Sequence, residues 1–203
     1  MIARRGAGTI DITAMFPGEY AELTGPLGNT WLDCLPGRRS RSVNKKTAAL
    51  IGGGIGVAPL QAFAGELPEL DFDFYAGFKT GFADTVECFG MLGPAASAGI
   101  GLMGNNKLII ATEDGSEGHK GLITDFLEPE NYTAVFACGP LPMLKAIARK
   151  CRSARVRCLV SMEQYMACGV GACLGCTIKT IHGNRRCCAD GPIFLAKELC
   201  FDE

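Results

Sequence analysis

Three features of this chain predict an α/β fold with a parallel sheet and helices on both faces. Short apolar runs alternate with amphipathic segments from residue 47 to residue 162, a glycine-rich turn ends the first run, and turn-forming residues end the later ones.

Taken in chain order, Gly6-Ala-Gly-Thr-Ile-Asp-Ile-Thr13 reads as a strand after a glycine turn, and Glu19-Tyr-Ala-Glu-Leu23 precedes Gly25-Pro-Leu-Gly28. Two or three strands cannot close a barrel, and a segment of about 40 residues buries too little surface to stand alone. Residues 1–38 are therefore expected to be an incomplete domain. The basic run Arg38-Arg-Ser-Arg-Ser-Val-Asn-Lys-Lys46 reads as a solvated linker at a domain boundary. The runs at 47–51, 71–76, 108–112, 134–138 and 156–162 are expected to be the strands of a nucleotide-binding domain over residues 46–162. Residues 94–106, rich in glycine and alanine, read as a loop inserted before the third strand.

The first strand runs into Gly52-Gly-Gly-Ile-Gly-Val-Ala-Pro59. Gly52, Gly54 and Gly56 allow a tight turn and close approach of backbone to a pyrophosphate at a helix N-terminus, and Pro59 suits a first helical turn. Such glycines also serve as plain strand-to-helix connectors. Two companions favour a nucleotide cleft. Cys138, Gly139 and Pro140 lie just past the carboxyl end of another strand, the edge where ligands of open α/β sheets bind, and Thr112-Glu-Asp-Gly-Ser116 ends a third. Cys138 is the candidate catalytic residue, with core packing as the alternative reading.

Residues 163–203 carry Cys168, Cys173 and Cys176, with Cys187 and Cys188 further on. The first three repeat the spacing by which plant-type ferredoxins hold a [2Fe-2S] cluster. Two bridged irons need four soft, anionic donors. Gly169, Gly171 and Gly175 let backbone N–H groups turn toward sulfur, and Val170 and Leu174 are expected to screen the site from water. Thr177-Ile-Lys-Thr-Ile181 alternates as a strand does, His182-Gly-Asn184 reads as a turn, and a hairpin returning from Arg185 would deliver the fourth ligand. Neighbours on a strand face opposite ways, so only one of Cys187 and Cys188 should bind. The alternatives are a structural zinc site, which usually pairs two short cysteine clips, or thiols that merely pack. The other cysteines are expected in the core or as plain surface thiols.

The chain has 203 residues, 48% hydrophobic and 20% charged, as in a soluble globular protein. A formal net charge of -1 offers no attraction to nucleic acid or anionic lipid, and no apolar run approaches the roughly 18 residues that cross a bilayer. The ligand spacing accounts for the eleven cysteines better than a disulfide scaffold does, and no signal peptide is evident, so a reducing, cytoplasmic setting is expected.

Gly52-Gly-Gly-Ile-Gly-Val-Ala-Pro59, Ala137-Cys-Gly-Pro-Leu-Pro-Met-Leu144, Met166-Ala-Cys-Gly-Val-Gly-Ala-Cys-Leu-Gly-Cys176 and Cys188-Ala-Asp-Gly-Pro-Ile-Phe194 together resemble the electron-transfer subunits of two-subunit dihydroorotate dehydrogenases, over nearly the whole chain. The resemblance implies a ferredoxin-NADP-reductase-like fold: a flavin β-barrel, here partial, an NAD domain and a small [2Fe-2S] domain. It selects Cys188 of the Cys-x-Asp-Gly-Pro motif as fourth ligand and disfavours zinc. It also places Gly8 and Thr9 on the FAD pyrophosphate and likens Gly25-Pro-Leu-Gly28 to the end of the barrel. The family's Arg-x-Tyr/x-Ser flavin motif is absent, and the chain is expected to be incomplete at its N-terminus. By resemblance, NADH would give hydride to FAD, which would pass single electrons through the cluster to an FMN-containing catalytic partner in pyrimidine biosynthesis, within a heterotetramer. The alternatives are a subunit of a related NAD(P)H-linked ferredoxin or sulfide oxidoreductase, or a truncated, non-enzymatic cluster-binding module.

Overall fold

The computed structural model describes residue 4 and residues 6–34, 46–66, 71–81 and 106–201. The expected linker at 38–45, the expected loop at 94–105 and Cys88 lie outside them.

A seven-stranded sheet forms the centre. Its strands are β1 (Lys46–Gly53), β2 (Phe72–Phe78), β3 (Leu108–Thr112), β4 (His119–Lys120), β5 (Tyr132–Cys138), β6 (Arg157–Ser161) and β9 (Ile193–Leu195), in the spatial order β4-β3-β2-β1-β5-β6-β9. All neighbours pair in parallel except β9, which runs antiparallel to β6. The five expected strands are present within two residues at each end. The two-residue β4 and three-residue β9 are too short to show a period, so sequence reading missed them.

β1, β2 and β5 are apolar along almost their whole length because both faces are covered. Leu50, Phe72, Phe74 and Phe136 point to one face, where α2 (Val57–Glu66) lays down Val57, Leu60, Phe63 and Ala64. Ile51, Tyr75, Val135 and Val160 point to the other, covered by α3 (Leu141–Ala154) through Leu144, Ile147, Ala148 and Cys151. That i, i+3, i+4, i+7 spacing makes one helical stripe. The core on this second face continues into the cysteine-rich segment through Cys176, Ile178, Cys187, Phe194 and Leu199. The segment thus borrows a core that about 40 residues could not build alone.

The N-terminal segment departs from expectation. Residues 6–13 do not form a strand: Ala7–Ala14 is the helix α1, and no strand precedes Lys46 among the described residues. With no partner strand to complete a ladder, short-range bonds decide the conformation. Thr9 Oγ1 accepts from the Gly6 N–H (3.1 Å) and donates to the Gly6 carbonyl (3.0 Å), and Thr13 Oγ1 donates to the Thr9 carbonyl (2.9 Å). No residue of α1 is buried.

Further along, Trp31 is anchored on the α2 face, its ring centroid 6.0 Å from Phe63 and 5.7 Å from Phe136. At the opposite end of the sheet from the glycine turn, Asp73 of β2 is buried. Its carboxylate accepts from Lys46 Nζ (2.5 Å), the Lys107 N–H (2.8 Å) and the Tyr132 hydroxyl (2.8 Å), which also bonds the Tyr75 hydroxyl (2.7 Å). Burial, then the hydrogen bond shared with Tyr75, pushes the Tyr132 phenol up and keeps it neutral.

Removing this carboxylate takes a buried acceptor from three donors at once. Asp73→Ala should cost about 3 kcal/mol of stability, read as a lower urea midpoint, with Asp73→Asn losing less because its oxygen can still accept.

Candidate functional site

The sheet order places the reversal of strand connection between β1 and β5, the position where open α/β sheets form a ligand crevice. The register sets Gly52 opposite Cys138, so the turn after β1 and the turn after β5 emerge side by side. Residues Gly54–Gly56 form a single 3-10 turn leading into α2, with Pro59 in the first turn of that helix, as its sequence position suggested. A side chain on Gly56 would collide with the carbonyl of Cys138, and one on Gly53 would come within 2.7 Å of Met143 Sδ and 2.9 Å of Pro140. Gly54 has φ 55 and open space where a side chain would project, which leaves that backbone approachable. Gly52, Gly54, Gly56, Gly139 and Pro140 therefore meet at one sheet edge.

Cys138 stands at this edge but is 2% exposed, within the α2-face core. Burial, and secondarily the charge of Glu163, pushes its thiol up to about 11, so it is a neutral group there. The third expected element, Thr112 to Ser116, is knitted to itself and to the turn after β2. Thr112 Oγ1 donates to the Glu117 carbonyl (2.7 Å), and Ser116 Oγ accepts from the Gly81 N–H (2.6 Å). Gly8 and Thr9 lie on exposed α1, and the Thr9 hydroxyl is occupied by its own helical turn.

The cysteine site is built by a loop and a hairpin. The hairpin strands β7 (Thr177–Thr180) and β8 (Gly183–Arg186) pair with Thr180 opposite Gly183, leaving Ile181 and His182 as the turn. Gly183, with φ 95, opens the returning strand, so the turn sits slightly earlier than the sequence suggested. In the loop, Gly169 and Gly171 take φ 70 and 79, which turns N–H groups inward. The Cys173 N–H lies 3.4 Å from Cys168 Sγ. This bond, with the N–H of Val170 and the thiol of Cys173, brings the Cys168 thiol down to about 6. Cys176 Sγ and Cys188 Sγ share a hydrogen bond at 3.3 Å, and the Cys188 N–H points at Cys176 Sγ (3.4 Å). The Cys188 N–H, then its thiol, lowers the Cys176 thiol, while Cys188 is raised chiefly by that same thiol contact.

Cys187 turns the other way. It is fully buried, and burial pushes its thiol up to about 11. Both cysteines lie in the turn that follows β8 rather than on a strand, and that turn sets Cys187 into the core and Cys188 against Cys176.

The four sulfurs therefore stand as two pairs, Cys168 with Cys173 and Cys176 with Cys188. A tetrahedral ion with bonds of about 2.3 Å sets its sulfurs roughly 3.7 Å apart, so the second pair needs to open by only a few tenths of an ångström to share one ion. Among the described residues, no three His, Cys, Asp or Glu groups gather where a single ion could be held. Soft thiol donors of this kind suit iron or zinc.

Two features were missed or misjudged from sequence. Val170 and Leu174 do not screen the loop: they are 63% and 62% exposed, and it is Leu27 that lies over Gly169. Arg186 and Asp190 brace the site. Asp190 accepts from the Arg186 N–H (2.8 Å) and Nε (3.2 Å), while Arg186 also donates to the Gly171 carbonyl (3.1 Å), tying hairpin to loop. The adjacent hydrogen bonds from Arg186 hold the Asp190 carboxyl below its ordinary value. Arginine four residues before aspartate was visible in the sequence, but the carbonyl it reaches was not.

Comparison with known proteins bears on both sites. Residues 163–200 match the iron-sulfur cluster binding domain of dihydroorotate dehydrogenase B. The chain is 40% identical over 200 residues to the dihydroorotate dehydrogenase B (NAD(+)) electron transfer subunit of Clostridium acetobutylicum, covering 98% of this chain and 72% of that protein. The Clostridium perfringens protein of the same name is 37% identical over 198 residues, covering 97% and 73%. Among solved structures, a chain of an NADH-dependent reduced ferredoxin-NADP oxidoreductase superposes with a TM-score of 0.72 at 27% identity, over 97% of this chain and 66% of its own length. A flavohemoglobin from Malassezia yamatoensis shares the fold at 20% identity, with a TM-score of 0.54 over 76% of this chain and 39% of that one. The α/β sheet is thus of the ferredoxin-NADP-reductase type. On the identity and extent of these matches, the chain belongs to the family of dihydroorotate dehydrogenase B electron-transfer subunits.

Proposed function

We propose that this chain is an electron-transfer subunit that links NAD(H) to a dihydroorotate dehydrogenase B catalytic subunit in pyrimidine biosynthesis, and that Cys168, Cys173, Cys176 and Cys188 hold a [2Fe-2S] cluster. The carrying observation is the two-by-two arrangement of the sulfurs, with Cys176 and Cys188 3.3 Å apart. Cys168 and Cys173 would hold one iron and Cys176 and Cys188 the other, and the cluster when bound supplies one-electron transfer. Ligand cysteines must lose their protons, and the N–H groups around Cys168 already favour its thiolate. The 40% identity to the acetobutylicum subunit, against 27% to the ferredoxin-NADP oxidoreductase, favours the dihydroorotate pathway over a ferredoxin acceptor.

The nucleotide reading rests on the crevice between β1 and β5. Gly54 and Gly56 would admit the pyrophosphate backbone-close, Gly139 and Pro140 would form the facing wall, and Cys138 would lie near the nicotinamide. By the resemblance Gly8 and Thr9 would touch the FAD pyrophosphate; they lie on α1, a helix with no buried residue, and no step through FAD is derived. We retain the division into residues 1–38, 46–162 and 163–203 as a functional one. A catalytic partner follows from the relatives' name, and a heterotetramer is the assembly we expect. No helix among the described residues is long and apolar enough to cross a membrane.

Iron- and sulfide-reconstituted protein should show the EPR signal of a reduced [2Fe-2S] centre. The signal should survive Cys187→Ser and vanish in Cys173→Ser and Cys188→Ser; one tightly bound zinc per chain with no sulfide would overturn the reading. In cluster-free, reduced protein, iodoacetamide at pH 7 should modify Cys168 first, with a rate that climbs as pH rises through about 6 and the thiolate forms, while Cys187 stays unmodified. For the nucleotide site, Cys138→Ala should weaken NADH binding, followed by nicotinamide fluorescence, by about tenfold while leaving iron content unchanged; equal loss of both would assign the thiol to packing alone.

A further inference from the structure

We propose that Asn29 is the positioning residue for the fourth sulfur ligand, clamping residues 188–193 so that Cys188 stays against Cys176. The proposal rests on the cluster reading, but its structural half can be measured without iron.

One residue makes four hydrogen bonds across more than 160 positions of sequence. The Asn29 N–H donates to the Gly191 carbonyl (2.6 Å), and Nδ2 donates to the carbonyls of Ile193 (2.8 Å) and Asp190 (3.4 Å). Oδ1 accepts from the Ile193 N–H (2.9 Å). Because the carboxamide offers a donor and an acceptor in one plane, it acts as a substitute strand at the edge of β9 that β6 does not cover. Gly28 permits the approach. With φ 68 it already sits in the left-handed region, and any side chain there would run into the Gly191 carbonyl.

The neighbours of Asn29 show why this contact bears on the sulfurs. Leu27 lies over Gly169 of the cysteine loop, and Trp31 is locked between Phe63 and Phe136 of the sheet core. Residues 27–31 therefore span from the cysteine loop to the rigid sheet, with Asn29 as their polar centre. Asp190, whose carbonyl Asn29 takes, passes the constraint on through its carboxylate to Arg186, and Arg186 reaches the Gly171 carbonyl. Cys188 lies inside this closed circuit, two residues before Asp190. A displacement of its turn by an ångström would part it from Cys176, because it would stretch the Sγ–Sγ contact of 3.3 Å and the N–H to Sγ contact of 3.4 Å beyond the reach of a hydrogen bond to sulfur.

Asn29→Leu keeps the volume and removes all three side-chain bonds, whereas Asn29→Asp keeps the acceptor for the Ile193 N–H. In cluster-free full-length protein, hydrogen exchange in Asn29→Leu should quicken at the Ile193 and Cys188 amides and stay as in wild type at the Cys173 amide and along β1 and β5. In reconstituted protein, bleaching by a chelator should be about tenfold faster than wild type, with Asn29→Asp between the two. Wild-type rates in Asn29→Leu, or exchange quickened equally at Cys173 and in the sheet, would overturn the positioning role. If Asn29→Leu fails to fold, the same two rates in Asn29→Asp decide, with wild-type values counting against the proposal. A wild-type protein that takes up zinc and no sulfide would defeat the cluster reading instead, and the exchange rates would still judge the clamp.

Discussion

The parallel pairing of β1 with β5 is the constraint on which the rest of the structure depends. It sets Gly52 against Cys138, brings the two connecting turns so close that no side chain fits on Gly56, and opens the crevice where connections diverge. The pairing is held from both faces by Leu50, Phe136, Ile51 and Val135, and anchored at its far end by the Asp73 network. Burial of side chains this size stabilises by about 1.5–3 kcal/mol each, so the crevice inherits its rigidity from the sheet rather than from the glycine turn.

From that sheet the cysteine-rich segment draws its order. Its hairpin is only four residues a side and would not persist alone. It persists because β9 is the last strand of the large sheet and because Ile178, Cys187 and Leu199 enter the core beneath α3. With the hairpin fixed, the loop can hold its sulfurs by backbone donors, and donors of this kind favour the deprotonated thiols that metal needs. Leu174 carries some cost of the arrangement: its φ of 61 lies in the left-handed region that residues other than glycine seldom adopt.

The starts and ends of β1, β2, β3, β5 and β6 were legible because apolar runs bounded by turn-forming residues leave little freedom in reading. Spacing likewise singled out Cys168, Cys173 and Cys176, whereas the expected strand alternation at Cys187 and Cys188 does not apply, because both fall in the turn after β8. Residues 6–13 misled for a physical reason. Ile10 and Ile12 alternate with small and polar residues as in a strand, but with no ladder to join, the threonine hydroxyls close helical turns instead. Val170 and Leu174 misled similarly, since apolar character says nothing about whether a neighbour arrives to cover it.

What the sequence by itself determined is the set of local chemistries: a parallel α/β sheet, glycine turns at its strand ends, and a loop of thiol donors at a spacing suited to paired irons. Only the tertiary structure decided that Cys188 Sγ lies 3.3 Å from Cys176 Sγ, that Arg186 reaches Gly171, and that Asn29 closes the turn from more than 160 residues away. Periodicity and spacing act over a few residues, where backbone geometry is nearly fixed. Contacts between segments remote in sequence depend on how the sheet stacks its strands, and that order is settled by burying both faces at once.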